Sequence, residues 1–140
     1  MKTLVFVSVV LCILIVGSVS WKSTAATDVQ KRRAVTELNN PVTVQGVVLK
    51  GQYLFVHDDA AMNRGDACTF IYKGEVEVPD QLVASFHCTH VERAKVKHFT
   101  VRTRETAPGT IELREFQFSG ETAGHAVPFS GKTAVVPLVN

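Results

Sequence analysis

The sequence predicts a mainly β protein, an antiparallel β-sandwich or partly open barrel of about seven to eight strands behind one apolar N-terminal helix. Valine, threonine and phenylalanine are abundant after residue 40, and these residues favour strands. Apolar and polar residues alternate there with a period of two, as in half-buried strands. Glycine and proline interrupt this part of the chain too often for long helices.

The first 21 residues form the most apolar segment of the chain. Thr3 to Ser20 is an uninterrupted run of eighteen uncharged residues. A helix of that length spans about 27 Å, close to the ~30 Å hydrocarbon core of a bilayer. We therefore predict a transmembrane anchor over residues 1–21, with a cleaved secretory signal peptide as the alternative. The residues expected to hold it in the membrane are Leu4, Phe6, Leu11, Leu14 and Trp21.

Two features that bear on the orientation of the domain give conflicting predictions. Lys2 precedes the leader, whereas Lys22 and the basic triplet at 31–33 follow it. By the positive-inside rule, this distribution would keep the large domain in the cytoplasm. Cys68 and Cys88, however, suit an oxidising compartment. We predict a single-pass membrane protein whose main domain is extracytoplasmic and periplasmic.

A juxtamembrane linker helix is predicted over residues 22–40. Thr27 to Gln30 fits a capping box, in which the first and last side chains bond the free amides of a helix start. The helix is expected to run from about Asp28 to Leu38. It should end before Pro41, because proline has no amide hydrogen to continue the helical hydrogen bonds.

Residues 41–140 are predicted to form one β domain. A hairpin is expected to turn at Lys50-Gly51-Gln52, because glycine tolerates the positive φ of such turns. The inward parity of the apolar residues flips near Arg114-Glu115, which predicts a β-bulge. The expected strands are 42–49, 53–57, 68–73, 82–91, 97–103, 110–118, 127–129 and 133–138.

Cys68 and Cys88 are predicted to form a disulfide. In a hairpin centred near residue 78 they lie opposite each other and share a face with apolar neighbours such as Phe70 and Phe86. Their Cα atoms are then expected about 5.5 Å apart, which suits a disulfide. Closing a loop of this length stabilises a protein by roughly 3 kcal/mol in the chain-entropy model.

A metal site on the same cysteines is the alternative. Thiolate and imidazole ligands suit zinc or copper. The spacing matches no standard zinc motif, no Cys-x-x-Cys-His haem motif and no blue-copper loop. We therefore predict no metal site and no cofactor, and expect surface or hydrogen-bonded histidines. The residues considered as ligands are His57, Met62, Cys68, His87, Cys88, His90, His98 and His125.

The most polar segment of the domain runs from His57 to Asp66. Asp58 or Asp59 is expected to cap a single helical turn that ends at Gly65. Calcium is the alternative partner of its carboxylates, although the alternate ligand spacing of an EF-hand loop is missing. A catalytic pairing of His57 with Asp59 has no evident nucleophile. We therefore predict no catalytic residues and no enzyme activity.

The charge balance argues against nucleic acid as the main partner. The chain has 15 Lys and Arg against 13 Asp and Glu, a net charge of +2, whereas nucleic-acid-binding domains carry a basic excess. A local basic region is interpreted either as a contact surface for phospholipid or an acidic partner, or as an ordinary solvated face. The candidate interaction residues are Arg32, Arg33, Arg93, Lys95, Lys97 and Arg102.

Together these observations predict a non-enzymatic accessory subunit. A membrane-anchored extracytoplasmic β domain would bind and stabilise a larger membrane protein complex, for example an electron-transfer or photosynthetic one, with the bilayer contacted through the N-terminal helix. The alternative is a secreted periplasmic β domain that binds a metal or a small ligand. Sequencing the N-terminus of the native protein separates a retained helix from a processed one.

Overall fold

The computed structural model describes residues 30–129, which form eight strands and two short helices. The predicted anchor at 1–21 and the last predicted strand, 133–138, lie outside these residues. Neither helix in the described range has the length and apolar character of a membrane span. The elements are β1 (Lys31–Val44), β2 (Val47–Asp58), α1 (Asp59–Arg64), β3 (Thr69–Lys73), a 3-10 turn (Pro79–Gln81), β4 (Leu82–Phe86), β5 (Thr89–Glu92), β6 (Thr100–Ala107), β7 (Thr110–Gln117) and β8 (Ala123–Ala126).

The eight strands form one curled sheet, a half-barrel. Their order is β4-β3-β2-β1-β7-β8-β5, and β6 also pairs with β7. Neighbouring strands are antiparallel except for β1 and β7, which meet in parallel at Thr43 and Glu112. The prediction of a mainly β domain with seven to eight strands is therefore confirmed. Of the two predicted architectures, the half-barrel corresponds to the partly open barrel.

The predicted linker helix is wrong over its described part, because residues 31–44 form strand β1. Exposure alternates along β1, with Ala34 and Leu38 packed into the core. β1 pairs with β2 from Lys31 to Leu38. This ladder satisfies the backbone through a distant partner and so overrides the local helix signal. Pro41 lies where the register shifts between Leu38 and Val42, a place in a strand that tolerates proline.

The first hairpin turns earlier than the sequence predicts. Gln45 and Gly46 form the turn, and both have positive φ, 49° and 81°. Two-residue hairpin turns with positive φ at both positions match the twist of the flanking strands. The predicted turn around Gly51 lies instead inside β2, opposite the end of the regular β1 ladder at Leu38.

The main core lies on one face of the sheet and contains most of the large apolar side chains. Phe55 is fully buried, and its ring centroid lies 5.1 Å from that of Phe99 and 5.5 Å from that of Phe116. The predicted bulge in β7 is confirmed, because the register with β6 shifts between Leu113 and Glu115. The bulge keeps both Leu113 and Phe116 buried in this core, and it thereby fixes which residues of β7 face the site described below.

Candidate metal centre

Three potential metal ligands meet inside the main core. His57 lies near the end of β2, His125 lies in β8, and Cys88 lies between β4 and β5. One ligand atom from each lies within 4.8 Å of the other two. All three side chains are at most 1% exposed. Histidine and cysteine are among the residues that bind zinc and copper.

The curl of the sheet brings these residues together. β2 and β8 are separated in the sheet by β1 and β7, yet the ring centroids of His57 and His125 lie 4.1 Å apart at an interplanar angle of 43°. His57 has the same parity along β2 as Phe55, and His125 pairs with Phe116 of β7. Strand parity therefore directs both imidazoles into the core.

His125 has an aromatic environment and one orphaned nitrogen. Its ring stacks on Phe116 at 5.0 Å and 16°, and Phe118 meets it edge-on at 5.8 Å. Nδ1 lies 3.6 Å from Sγ of Cys88. Nε2 is buried and has no hydrogen-bond partner among the described residues. Buried polar atoms in native proteins are usually paired, and an orphan calls for a specific explanation such as an ion.

His57 lies beside a carboxylate that can orient it. Nδ1 lies 3.1 Å from Oδ1 of Asp59, although the contact does not meet hydrogen-bond geometry. Asp59 is held by Arg32 at 3.1 Å, and Nε of Arg32 lies 2.5 Å from Oε1 of Glu121. A carboxylate behind a histidine is the usual outer partner of a metal-binding imidazole, since it fixes the ring and raises its basicity.

Cys88 also contacts a second thiol. Sγ of Cys68 lies 3.1 Å from Sγ of Cys88, and the Cys88 amide donates to Sγ of Cys68 at 3.2 Å. Both cysteines are buried and free, so their disulfide stays a prediction. The β3–β4 ladder ends at Thr69 and Phe86. Cys88 therefore lies after the end of β4. The sequence had predicted it within that strand, paired with Cys68 across a hairpin.

Burial sets the protonation of the three candidate ligands. It lowers the pKa of His125 to about 3, helped by electrostatic interaction with nearby His57 and with the Arg32 guanidinium. Burial also lowers the pKa of His57, against the opposing carboxylate of Asp59. The pKa of the Cys88 thiol is raised to about 12, chiefly by burial. At neutral pH both imidazoles are thus neutral with a lone pair free, and the thiol keeps its proton until a cation replaces it.

The remaining residues considered as ligands lie elsewhere. His87 is exposed, with Nδ1 2.7 Å from the Asp66 carbonyl oxygen. His90 is exposed as well, with Nε2 3.4 Å from the carboxylate of Glu92. Exposed His98 is also outside the ligand group, and half-buried Met62 packs against the main core. His90, which shares strand parity with Cys88 in the sequence, is therefore replaced in the group by His57 and His125.

The acidic loop caps a short helix, as predicted. The Asp58 side chain accepts a hydrogen bond from the Ala61 amide at 3.0 Å. Gly65 ends α1 with φ of 78°, and its amide donates back to the carbonyls of Ala61 and Met62. The adjacent Asp59 contacts Arg32 and His57, which links this loop to the metal-ligand candidates.

Most of the predicted basic interaction residues have acidic partners within the domain. Arg33 contacts Glu77 at 2.7 Å, while Arg93 and Arg102 both contact Glu115, at 2.7 and 2.9 Å. Arg32 is bound by Asp59 and Glu121, whereas Lys95 and Lys97 are exposed. The four arginines thus contribute to internal ion pairs, which reduces the net positive charge they offer to a partner.

Sequence reasoning considered His57 and His125 but had no signal that joins them. Their separation along the chain exceeds every standard ligand spacing, and their strands are not neighbours. Strand parity was the only available clue, since it places His57 on the side of Phe55.

Comparison of the chain with protein-family models, with curated proteins and with solved structures found no match.

Proposed function

We propose that this chain is a β domain that binds a single transition-metal ion, zinc or copper, through His57, Cys88 and His125. The observation that carries the proposal is the meeting of three buried ligand atoms within 4.8 Å of one another. Both ring nitrogens of the buried His57 have no hydrogen-bond partner among the described residues, which supports it.

The spacing of the donors is close to that of a metal site. Zinc bonds of about 2.0–2.3 Å to nitrogen and sulfur place tetrahedral donors about 3.3–3.8 Å apart. Cys88 Sγ and His125 Nδ1, at 3.6 Å, already lie in this range. The other pairs need to close by about 1.5 Å at most, given the 4.8 Å limit of the group. Side-chain rotation alone provides movements of this size.

The donor types favour soft and borderline cations. Two imidazoles and one thiolate suit zinc and copper, while calcium and magnesium take oxygen ligands. The aromatic rings of Phe116 and Phe118 surround His125, and an apolar shell of this kind limits access of water to the ion. Three protein ligands leave a fourth position for an exogenous donor or a further residue.

The location and partners of the protein stay predictions from the sequence. We propose an exported domain, because the apolar leader favours export. Membership of a larger membrane complex is compatible with a metal centre in this domain. Crosslinking of native membranes followed by purification of the tagged chain tests that membership, and recovery of the chain alone contradicts it.

Metal analysis of the full 140-residue chain, purified without an affinity tag and under reducing conditions in mild detergent, tests the proposed function. We expect one zinc or copper ion per chain. After removal of the metal by a chelator, Co²⁺ should bind with a thiolate charge-transfer band and tetrahedral d–d bands. Cu⁺ competition against a chromophoric chelator then ranks the two candidate metals.

Substitutions at the three ligands test whether the metal binds at this site. His57→Gln, Cys88→Ser and His125→Gln should each abolish stoichiometric binding, because each removes one of three donors. His98→Gln is the matched control, since His98 is exposed and lies outside the ligand group. Full metal content in the His125→Gln chain, or no metal bound by the reduced wild-type chain, contradicts the proposal.

A further inference from the structure

We propose that Cys68 regulates this metal site by forming a disulfide with Cys88, so that the oxidised domain releases its metal and the reduced domain binds it. The inference rests on the proposed function and adds its regulation. The supporting observation is that Cys88 Sγ contacts two groups. It lies 3.6 Å from His125 Nδ1 and 3.1 Å from Cys68 Sγ.

Cys88 is shared between two mutually exclusive partners. Cys68 lies outside the group of ligand atoms that includes His57, Cys88 and His125. It nevertheless contacts Cys88 twice, through the two sulfur atoms and through the Cys88 amide. A disulfide requires the sulfurs to approach to about 2.05 Å, a closure of about 1 Å from the observed separation. Cys68 can therefore form a disulfide with Cys88, although Cys68 is not a member of the metal-ligand group.

The oxidation is a thiol–disulfide exchange with a low-molecular-weight disulfide or a protein disulfide as oxidant. The thiolate of one cysteine attacks the oxidant, a mixed disulfide forms and one thiol leaves. The second cysteine then attacks the mixed disulfide, which forms the Cys68–Cys88 bond and releases the other thiol. Two electrons pass from the protein to the oxidant, and the two thiol protons appear on the two released thiols.

Oxidation removes the only sulfur donor among the three ligands. A thiolate carries the negative charge that binds zinc or copper, whereas a disulfide sulfur is neutral and has lost its metal-binding form. His57 and His125 alone are then left to hold the ion. Two neutral imidazoles in an apolar core provide no compensating charge for a divalent cation, so the affinity should fall by at least 100-fold.

The experiment compares reduced and oxidised full-length chain, in the same detergent, by titration with Co²⁺. The oxidised sample is prepared by equilibration with oxidised glutathione, and its disulfide is verified by a mass loss of two hydrogens and by resistance to thiol alkylation. We expect the reduced chain to bind one Co²⁺ with a thiolate charge-transfer band. The oxidised chain should lack this band, and dithiothreitol should restore it.

Cys68→Ser separates the regulation from the binding function. This variant should bind Co²⁺ as the reduced wild type does and should keep it after exposure to oxidised glutathione. Cys88→Ser should bind no Co²⁺ in either state. Loss of Co²⁺ binding in Cys68→Ser would make Cys68 a ligand and overturn the inference while the metal site stands. Undiminished Co²⁺ binding by the verified disulfide form, or no disulfide under glutathione, also overturns it. Absence of Co²⁺ binding by the reduced wild type instead removes the proposed function itself.

Discussion

Replacement of His125 by leucine should leave the metal-free domain about as stable as the wild type or more stable, while abolishing its stabilisation by metal. Nε2 of His125 is buried without a hydrogen-bond partner among the described residues, and an orphaned buried polar group costs about 1–3 kcal/mol. Leucine has a similar volume and removes that group. The residue is therefore expected to be retained for ligand binding at the expense of stability.

The expected change in the free energy of unfolding of His125→Leu is the sum of two opposing contributions. Removing the orphaned nitrogen returns about 1–3 kcal/mol, while losing the ring that stacks on Phe116 at 5.0 Å costs about 0.5–1.5 kcal/mol. The free energy of unfolding should thus change by between about −0.5 and +2.5 kcal/mol. For a domain of about 100 residues, each kcal/mol corresponds to about 4–8 °C in Tm. A metal at 100 times its Kd would add about 2.7 kcal/mol to the wild type alone.

Gln117→Leu provides the matched control. Gln117 is also fully buried, but its amide nitrogen donates to the carbonyls of Ala94 at 2.9 Å and Glu121 at 2.8 Å, and its oxygen accepts from Arg102 at 3.0 Å. The substitution leaves these groups without their partner, so the free energy of unfolding should fall by about 2 kcal/mol or more. Leucine is therefore expected to be tolerated in place of His125 and not in place of Gln117.

Denaturant unfolding of the three chains, with chelator and with added Zn²⁺ under reducing conditions, measures both effects. The reasoning is refuted if His125→Leu loses stability in chelator as Gln117→Leu does, since His125 would then be an ordinary structural residue. It is also refuted if the variant keeps the Zn²⁺-dependent gain of the wild type.

Three further predictions concern the scaffold around the site. Phe55→Ala should lower the free energy of unfolding by about 3–5 kcal/mol in thermal or denaturant unfolding, because it empties the centre of the aromatic core. Glu115→Gln should cost about 1–3 kcal/mol at pH 7 by the same measurement, towards the lower end because its partners Arg93 and Arg102 are about 40% exposed and can be rehydrated. The arginines lower the pKa of Glu115. The contribution of Glu115 to the free energy of unfolding is therefore present above the unfolded pKa of about 4.3 and is lost as the pH falls below that value. Unfolding measured over a series of pH values should show this loss in the wild type and a smaller one in Glu115→Gln. In a double-mutant cycle, Gly124→Ala should destabilise the wild type more than it destabilises a Glu115→Ala background, because its Cβ would lie 2.7 Å from Oε1 of Glu115, an atom that alanine removes. Equal effects of Gly124→Ala in both backgrounds would contradict the predicted clash.

The sequence alone was sufficient where local chemistry decides the structure. The β composition and its period of two predicted a mainly β domain, and the carboxylate of Asp58 with Gly65 predicted the capped turn α1. The flip of apolar parity near Arg114 predicted the bulge in β7. Each signal lies within a few residues of the feature that it specifies, so no distant partner was needed.

Only the tertiary structure decided features that depend on pairing between distant segments. Residues 31–38 follow a helix-start signal at Thr27 to Gln30, yet the ladder with β2 makes them a strand, because a long run of cross-strand hydrogen bonds and buried side chains outweighs a weak local preference. The candidate metal centre has the same origin. His57, Cys88 and His125 come from three separated segments, and the curl of the sheet rather than any spacing in the sequence brings their ligand atoms together.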